Sequence, residues 1–358
     1  MRKRIVVIGA SGNVGTALLR NLCGAGHQLV GVVRRPPEPK GVYGEAQWLR
    51  LDVADREAAR DLGRVFDGAD SVVHLAWGFQ PTRNAKYLRS VGVGGTTAVL
   101  QAAQSAGVGQ LIHMSSVGTY AAGRYGQRVT ESWPTTGIAS SAYSRDKSAA
   151  ESLLDDYERT QTGSGVNIAR MRPGFIVQRA AASGLLRYGL PGYIPMRAVP
   201  LLPLLPLDRD LCIPLVHADD VAEAIVQAIH RGASGPFNLA AEPPLRRNDV
   251  ASALRSRPIH IPAGALGTLV DLSWRARLQP VDRGWLDLAF SVPLLDCSRA
   301  RDELGWVPRW SSTEALKDVL NGIANRAHGQ SAPLRKRSLL DELRRDATQG
   351  LISTRRIP

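Results

Sequence analysis

Apolar residues in the first half of the chain fall into short runs, at 5–8, 29–33, 71–76 and 110–114, rich in Val, Ile and Leu. Between them, apolar positions recur with helical spacing near 14–23, 55–66 and 95–106. Short apolar runs without in-and-out alternation are strands covered on both faces. Strands that alternate with helices build a parallel sheet through right-handed crossovers. The alternation continues with a helix near 143–161 and a strand at 166–171. The pattern predicts an α/β chain with a doubly wound parallel sheet, in which ligands sit beyond the carboxyl ends of the strands. Those ends fall at Gly9, Val33-Arg34, Ala76 and Ser115-Ser116.

After Pro173 the texture changes. Residues 178–212 are rich in Pro, Gly and Leu and have no clear period; Leu215-Val216-His217 then reads as a strand. Asp219 to His230 reads as a helix, with Asp219 or Asp220 at its N-terminus. Residues 236–327 mix short strands and helices. The predicted division is a nucleotide-binding domain over 1–177, completed by about 213–240. A smaller C-terminal substrate-binding domain is drawn from 178–212 and 241–327. Residues 328–358 form a basic tail, read as a surface helix followed by disorder.

The first strand runs into Gly9-Ala10-Ser11-Gly12-Asn13-Val14-Gly15 and then a helix-forming run. That order suits a dinucleotide: one glycine for the turn, one for close approach of a pyrophosphate, one for helix–strand packing. The helix start then offers free N–H groups and a positive dipole end to phosphates. At the end of the second strand, Val33 stands where an NAD-specific fold places a carboxylate, and Arg34-Arg35 follow. Guanidinium groups there suit a 2′-phosphate, which favours NADP(H) and leaves NAD(H) open.

Composition narrows the classes. A chain of 358 residues with 44% hydrophobic residues buries a full core. Cys23, Cys212 and Cys297 lie far apart and form no metal-ligand spacing, so no metal site is read and a reduced, cytoplasmic setting is expected. The apolar stretch after the basic start is too short for a signal peptide, and no run approaches a membrane span, so no stable membrane insertion is expected. The net charge of +13 is mostly arginine spread along the chain without interleaved aromatics, so it does not point to nucleic acid.

Eight motifs occur in order. They are the glycine turn, Asp52-Val53-Ala54-Asp55, Val72-Val73-His74-Leu75-Ala76 and Ser115-Ser116-Val117-Gly118-Thr119-Tyr120. Tyr143-Ser144-Arg145-Asp146-Lys147, Arg172-Pro173-Gly174, Val216-His217-Ala218-Asp219-Asp220-Val221 and Phe237-Asn238-Leu239 follow. With the late stretch from Ser298 to Trp306, the chain over about 4–320 resembles the extended short-chain dehydrogenase/reductase family, the NAD-dependent epimerase/dehydratase group with a Rossmann fold. The resemblance implies a catalytic Ser116, Tyr143 and Lys147, with Ser115 the alternative serine. It implies that Lys147 lends its charge to the Tyr143 phenol and binds the nicotinamide ribose. Tyr143 and Lys147, four apart, share a helix face.

The same resemblance puts Asp52 and Val53 at the adenine. Pro173, Gly174 and Ile176 fall beside the nicotinamide, with Ser115, Leu75 and Ala76 also on the cofactor. It further implies a homodimer through the helices near 95–106 and 143–161, which sedimentation tests.

Three positions depart from the family pattern: Gly92 replaces a common Asn, Asp146 a common Ser, and Ile213-Pro214-Leu215 an Arg-Asp-aromatic run, with Arg209-Asp210 displaced upstream. A diphosphate needs such a cation. Its displacement, beside apolar Leu185, Leu186, Tyr188, Tyr193, Ile194 and Met196, favours a moderately apolar carbonyl or alcohol as the small-molecule substrate of an NAD(P)(H)-dependent oxidoreductase. A nucleotide-sugar epimerase or dehydratase with retained NAD is the alternative. A non-catalytic dinucleotide-binding sensor or scaffold is the second.

Overall fold

The computed structural model describes residues 2–79, 84–124, 126–161, 165–189, 203–279 and 281–336. Its central sheet has seven strands: β1 (Arg4–Ile8), β2 (Gln28–Val33), β3 (Ala46–Arg50), β4 (Ser71–His74), β5 (Gln110–Met114), β6 (Asn167–Pro173) and β7 (Gly235–Leu239). The spatial order is β7-β6-β5-β4-β1-β2-β3, with every pairing parallel. The chain runs outward from β1 in both directions, so the crevice beyond the carboxyl ends of β1 and β4 is the topological switch point.

β1 shows why its sequence is apolar throughout. Ile5 and Val7 point into one core layer, Val6 and Ile8 into the other, and none exceeds 1% exposure. Helices α1 (Asn13–Leu22) and α5 (Ala218–Arg231) cover the first face. Helices α2 (Ala58–Phe66), α3 (Gly95–Ser105) and α4 (Ala142–Thr160) cover the second. Among the described residues no helix is long and apolar enough to cross a membrane.

The structure refines the sequence reading at four places. The sequence reading had no strand between 33 and 71, yet β3 is there. At the sheet edge its solvent side needs no apolar partner, so Ala-Gln-Trp-Leu-Arg lacks a strand-like run. The run 71–76 ends as a strand at His74; Leu75 still donates to the Ile8 carbonyl, and Ala76 then passes under Gly9. Helix α5 carries Asp219 and Asp220 in its first turn, as expected, and starts one residue earlier, at Ala218, with His217 as N-cap: its Nδ1 accepts from the Asp219 amide. Of the expected tail, residues 328–336 form a turn with Ser331 and Leu334 buried, and residues 337–358 lie outside the described residues.

The second half adds short helices and strands, of which Gly184, Leu185 and Leu288 line the cleft beyond the sheet. A helix spans Ala182–Gly189, short parallel strands pair Leu204–Leu207 with Arg257–His260, and a helix at Arg283–Ser291 returns to α4. That last helix docks through Gly284. A Cβ there would lie 2.5 Å from the Ser140 carbonyl, so only glycine lets Trp285 reach Tyr143.

Candidate functional site

The glycine turn forms the floor. Gly9 has φ +82°, a left-handed conformation that favours glycine, and a Cβ on it would meet the Ala76 amide at 2.8 Å. A Cβ on Gly15 would meet the Gly9 and Ala10 carbonyls at 2.5 Å, so α1 packs on the turn only because position 15 is bare. Gly12 caps α1 with no side-chain hydrogen bond to its first amides. The cradle therefore fits a diphosphate, with backbone N–H groups at a helix start.

Every residue expected at the cofactor or the chemistry lines one cleft of about 390 Å³. Asn13 lines it while its side chain is turned sideways: its amide donates to the Ile176 carbonyl, and its Oδ1 accepts from Gln178. Asp52 accepts from the Ala54 amide and from the Tyr87 hydroxyl, which in turn accepts from Arg34. Arg34 and Arg35 thus stand at the Asp52 end of the cleft, and Ser116, Tyr143 and Lys147 at the other.

At that second end, Ser116 Oγ accepts from the Gly118 amide at 3.0 Å and hydrogen-bonds Tyr143. Gly118 permits the approach, since a Cβ on it would lie 3.0 Å from the Tyr143 ring. Phe79 and Trp77 meet the Tyr143 ring edge-on, with centroids at 5.2 and 6.3 Å, and Trp285 lies 5.5 Å away. This apolar nest pushes the phenol up to about 12, with only the Ser116 hydrogen bond opposing.

Lys147 is fully buried. Its Nζ donates to the Met114 carbonyl at 2.7 Å and sits 3.4 Å from the centre of the Trp77 indole. Burial holds its pKa well below the usual value, with Glu151 the one opposing charge. His74 and His113 pack as a ring pair, 5.5 Å apart, and burial drives both pKa values down, so no further cation stands there at neutral pH. The resemblance has the ammonium depressing the phenol. In this geometry burial dominates both groups, raising the phenol and lowering the lysine.

The departures acquire reasons. A Cβ on Gly92 would lie 2.8 Å from the Trp77 indole, so an asparagine there and Trp77 in this position exclude each other. Asp146 is turned to Arg89 at 2.7 Å, away from the phenol. Pro214 receives the Phe175 amide, and Arg209 is exposed outside the cleft lining. Of the expected apolar substrate wall, Leu185 lines the cleft. Leu186 and Tyr188 lie on the same helix with side chains outside the described residues, as are Tyr193, Ile194 and Met196 altogether.

Four groups escaped the sequence reading. Trp77 and Phe79 directly follow a motif already singled out, and that adjacency was the available signal. Trp285 and Leu288 arrive from the far helix with none. Glu151, one turn beyond Lys147, accepts from Ser115 Oγ at 2.5 Å and from Arg170 and Arg172 at 2.8–2.9 Å. Ala332, Pro333 and Leu334 also line the cleft.

A dTDP-glucose 4,6-dehydratase of Streptomyces antibioticus is 26% identical over 369 residues, covering 93% of this chain and 96% of its own. An uncharacterized Mycobacterium tuberculosis protein is 26% identical over 90% of this chain, which spans only 30% of that relative's length. Among solved structures, the UDP-glucose 4-epimerase of Thermotoga maritima with UDP-glucose superposes with a TM-score of 0.69 at 19% identity, over 90% of this chain and 99% of that one. That likeness shows the fold. The family model that matches, NAD dependent epimerase/dehydratase, covers residues 5–177, the stretch that carries the glycine turn, Ser116, Tyr143 and Lys147. From Ile5 to Val177 this chain thus matches the NAD dependent epimerase/dehydratase family model.

Proposed function

We propose that this protein is an NADP(H)-preferring oxidoreductase acting at a carbon–oxygen centre of a moderately apolar carbonyl or alcohol. The observation that carries this is the convergence of Ser116, Tyr143 and Lys147 at the aromatic end of the cleft, where Trp77, Phe79 and Trp285 surround the reacting phenol. A bound nicotinamide supplies or accepts the hydride. The chain's own residues do the rest. Ser116 orients the substrate oxygen, and Tyr143 gives that oxygen a proton on reduction or takes it on oxidation. Lys147 holds the nicotinamide ribose, and the aromatic walls exclude water.

Dehydration needs a further acid to expel hydroxide. Among the described cleft residues Asp52 supplies a carboxylate, and it lies at the opposite end from Tyr143. Beside Ser116 stand Val117 and Gly118, neither of which can protonate a leaving group.

The relatives weigh toward a second reading better than toward the first: a nucleotide-sugar epimerase or dehydratase that retains NAD. The Streptomyces relative is a dTDP-glucose dehydratase, and a neighbour of TM-score 0.66 and 19% identity is a complex with UDP-glucuronic acid and NAD. One measurement separates them. The proposed reductase consumes added NADPH stoichiometrically with a carbonyl substrate. Tightly bound NAD⁺ in the purified protein, with turnover of a UDP- or dTDP-sugar and no net cofactor consumption, establishes the second reading and ends the first.

Cofactor preference is tested apart from substrate. Wild type is expected to bind NADPH at least tenfold more tightly than NADH, and Arg34→Ala to lose most of that difference. Fluorescence titration measures both, and tighter binding of NADH to wild type refutes the preference.

A further inference from the structure

The turn after the last helix, Ser312–Ala324, returns to the beginning of the chain. Ala327 is anchored twice, its amide on the Gly322 carbonyl at 2.7 Å and its carbonyl on Ser183 Oγ at 2.8 Å. The Gly329 amide and Leu334 carbonyl, and the Leu334 amide and Ser331 carbonyl, then close a tight loop. Ser331 is fully buried and donates to the Ser11 carbonyl at 2.7 Å. Ser11 lies in the glycine turn itself. Leu334, 3% exposed, packs its side chain into the cleft wall. A segment that sequence alone reads as a tail is thus built into the dinucleotide groove.

The residue after Leu334 is Arg335. It joins a group of cations at one corner of the sheet. Arg34 and Arg35 leave the end of β2, and Arg50 ends β3 in register with Val33. Arg34, Arg50 and Arg335 all press on Arg35 and, after its own desolvation, lower its pKa. Among the described residues no carboxylate forms an ion pair with Arg35, Arg50 or Arg335, although surface arginines elsewhere in the chain pair readily, as Arg89 and Arg299 do. Like charges collected in one place repel, and an anion that joins them relieves that repulsion.

We propose that residues 327–336 form a strap over the dinucleotide groove, and that Arg335, carried on it, completes with Arg34, Arg35 and Arg50 a receptor for a phosphate on the 2′ position of the adenosine ribose. The inference rests on the NADP(H) reading above and deepens it. Ser331 and Leu334 fix the strap, and Arg335 supplies charge. The strap also gives the cofactor site a part drawn from outside residues 5–177.

The test uses the full chain, with NADPH and NADH titrated against wild type, R335A, R335K and S331A, and NADPH release followed by stopped-flow displacement. R335A is expected to weaken NADPH about tenfold and leave NADH within about twofold. R335K, which keeps the charge, is expected to stay within about threefold of wild type for both. S331A, which frees the strap without touching its charge, is expected to speed release of both dinucleotides. If R335A changes NADPH and NADH by the same factor, or changes neither, the proposal is overturned. Should wild type prefer NADPH and R34A abolish that preference while R335A keeps it, the strap's role falls and the cofactor reading stands. If wild type prefers NADH, both fall.

Discussion

Tyr143→Phe is expected to lower kcat about 10³-fold, within the range general acid–base catalysis contributes, and to leave dinucleotide affinity within about threefold. The ring stays in its nest against Phe79 and Trp285, so the variant removes the proton and little else. Steady-state kinetics with whichever substrate turns over, together with dinucleotide titration, measure this. A loss smaller than tenfold removes Tyr143 from the chemistry. The sensor or scaffold reading gains only if the variant equals wild type in every assay.

The same phenol sets a pH dependence. With its pKa raised to about 12, Tyr143 holds its proton throughout the neutral range. At pH 8 only about one molecule in ten thousand carries the phenolate. Reduction, which uses the protonated form, is expected to be flat in kcat between about pH 6 and 9 as far as Tyr143 is concerned. Oxidation, which uses the phenolate, is expected to rise about tenfold per pH unit over the same span. An oxidation rate that levels off near neutral pH means that the Lys147 charge, not the apolar packing, governs the phenol once the cofactor is bound.

How far the sequence exposed this site depends on how local each contact is. The glycine turn, Arg34-Arg35 and the Tyr143/Lys147 pair are local: each rests on spacing within one turn or one strand end, and spacing is written in the chain. Trp285 is not. It reaches Tyr143 from a helix 142 residues on, through a close approach at Gly284 that no periodicity announces. β3 escaped because an edge strand is less covered than the central ones and needs no apolar run. The strap escaped because two buried residues, Ser331 and Leu334, are diluted among small and polar ones. The Glu151 cluster was legible in principle. Arg170 and Arg172 flank Met171 on a strand that is otherwise apolar from Ile168 on, so both point to one buried face. Helix α4 offers Glu151, Asp155 and Glu158 at helical spacing to meet them.

That cluster carries the second large effect. Glu151 is wholly buried and receives both Arg172 Nε and Nη2, a two-point grip, with Arg170 on its second oxygen. Burial alone raises a carboxyl's pKa, but here the Arg172 and Arg170 charges prevail and hold it at about 2. Glu151→Gln keeps the shape and leaves Arg172, 4% exposed, with the Tyr120 hydroxyl and the Glu131 carbonyl as partners but no carboxylate. Arg170 keeps Asp155 and Glu158. Removing one member of a buried ion pair costs about 3–5 kcal/mol, expected here as a fall in Tm of about 10 °C. Ser115, which donates to Glu151 beside the reacting Ser116, is expected to lose its alignment with it. Because the folded-state pKa lies below the ordinary carboxylate value, the stabilisation is complete above pH 4.5 or so and is lost as pH falls from there through about 2. Wild type is therefore expected to lose about 3 kcal/mol across that window that Glu151→Gln has already forfeited. Denaturant titrations of the two proteins at neutral and acid pH measure the convergence. Equal stability at neutral pH, or a gap that stays constant on acidification, removes Glu151 as the charge that holds β6 to α4.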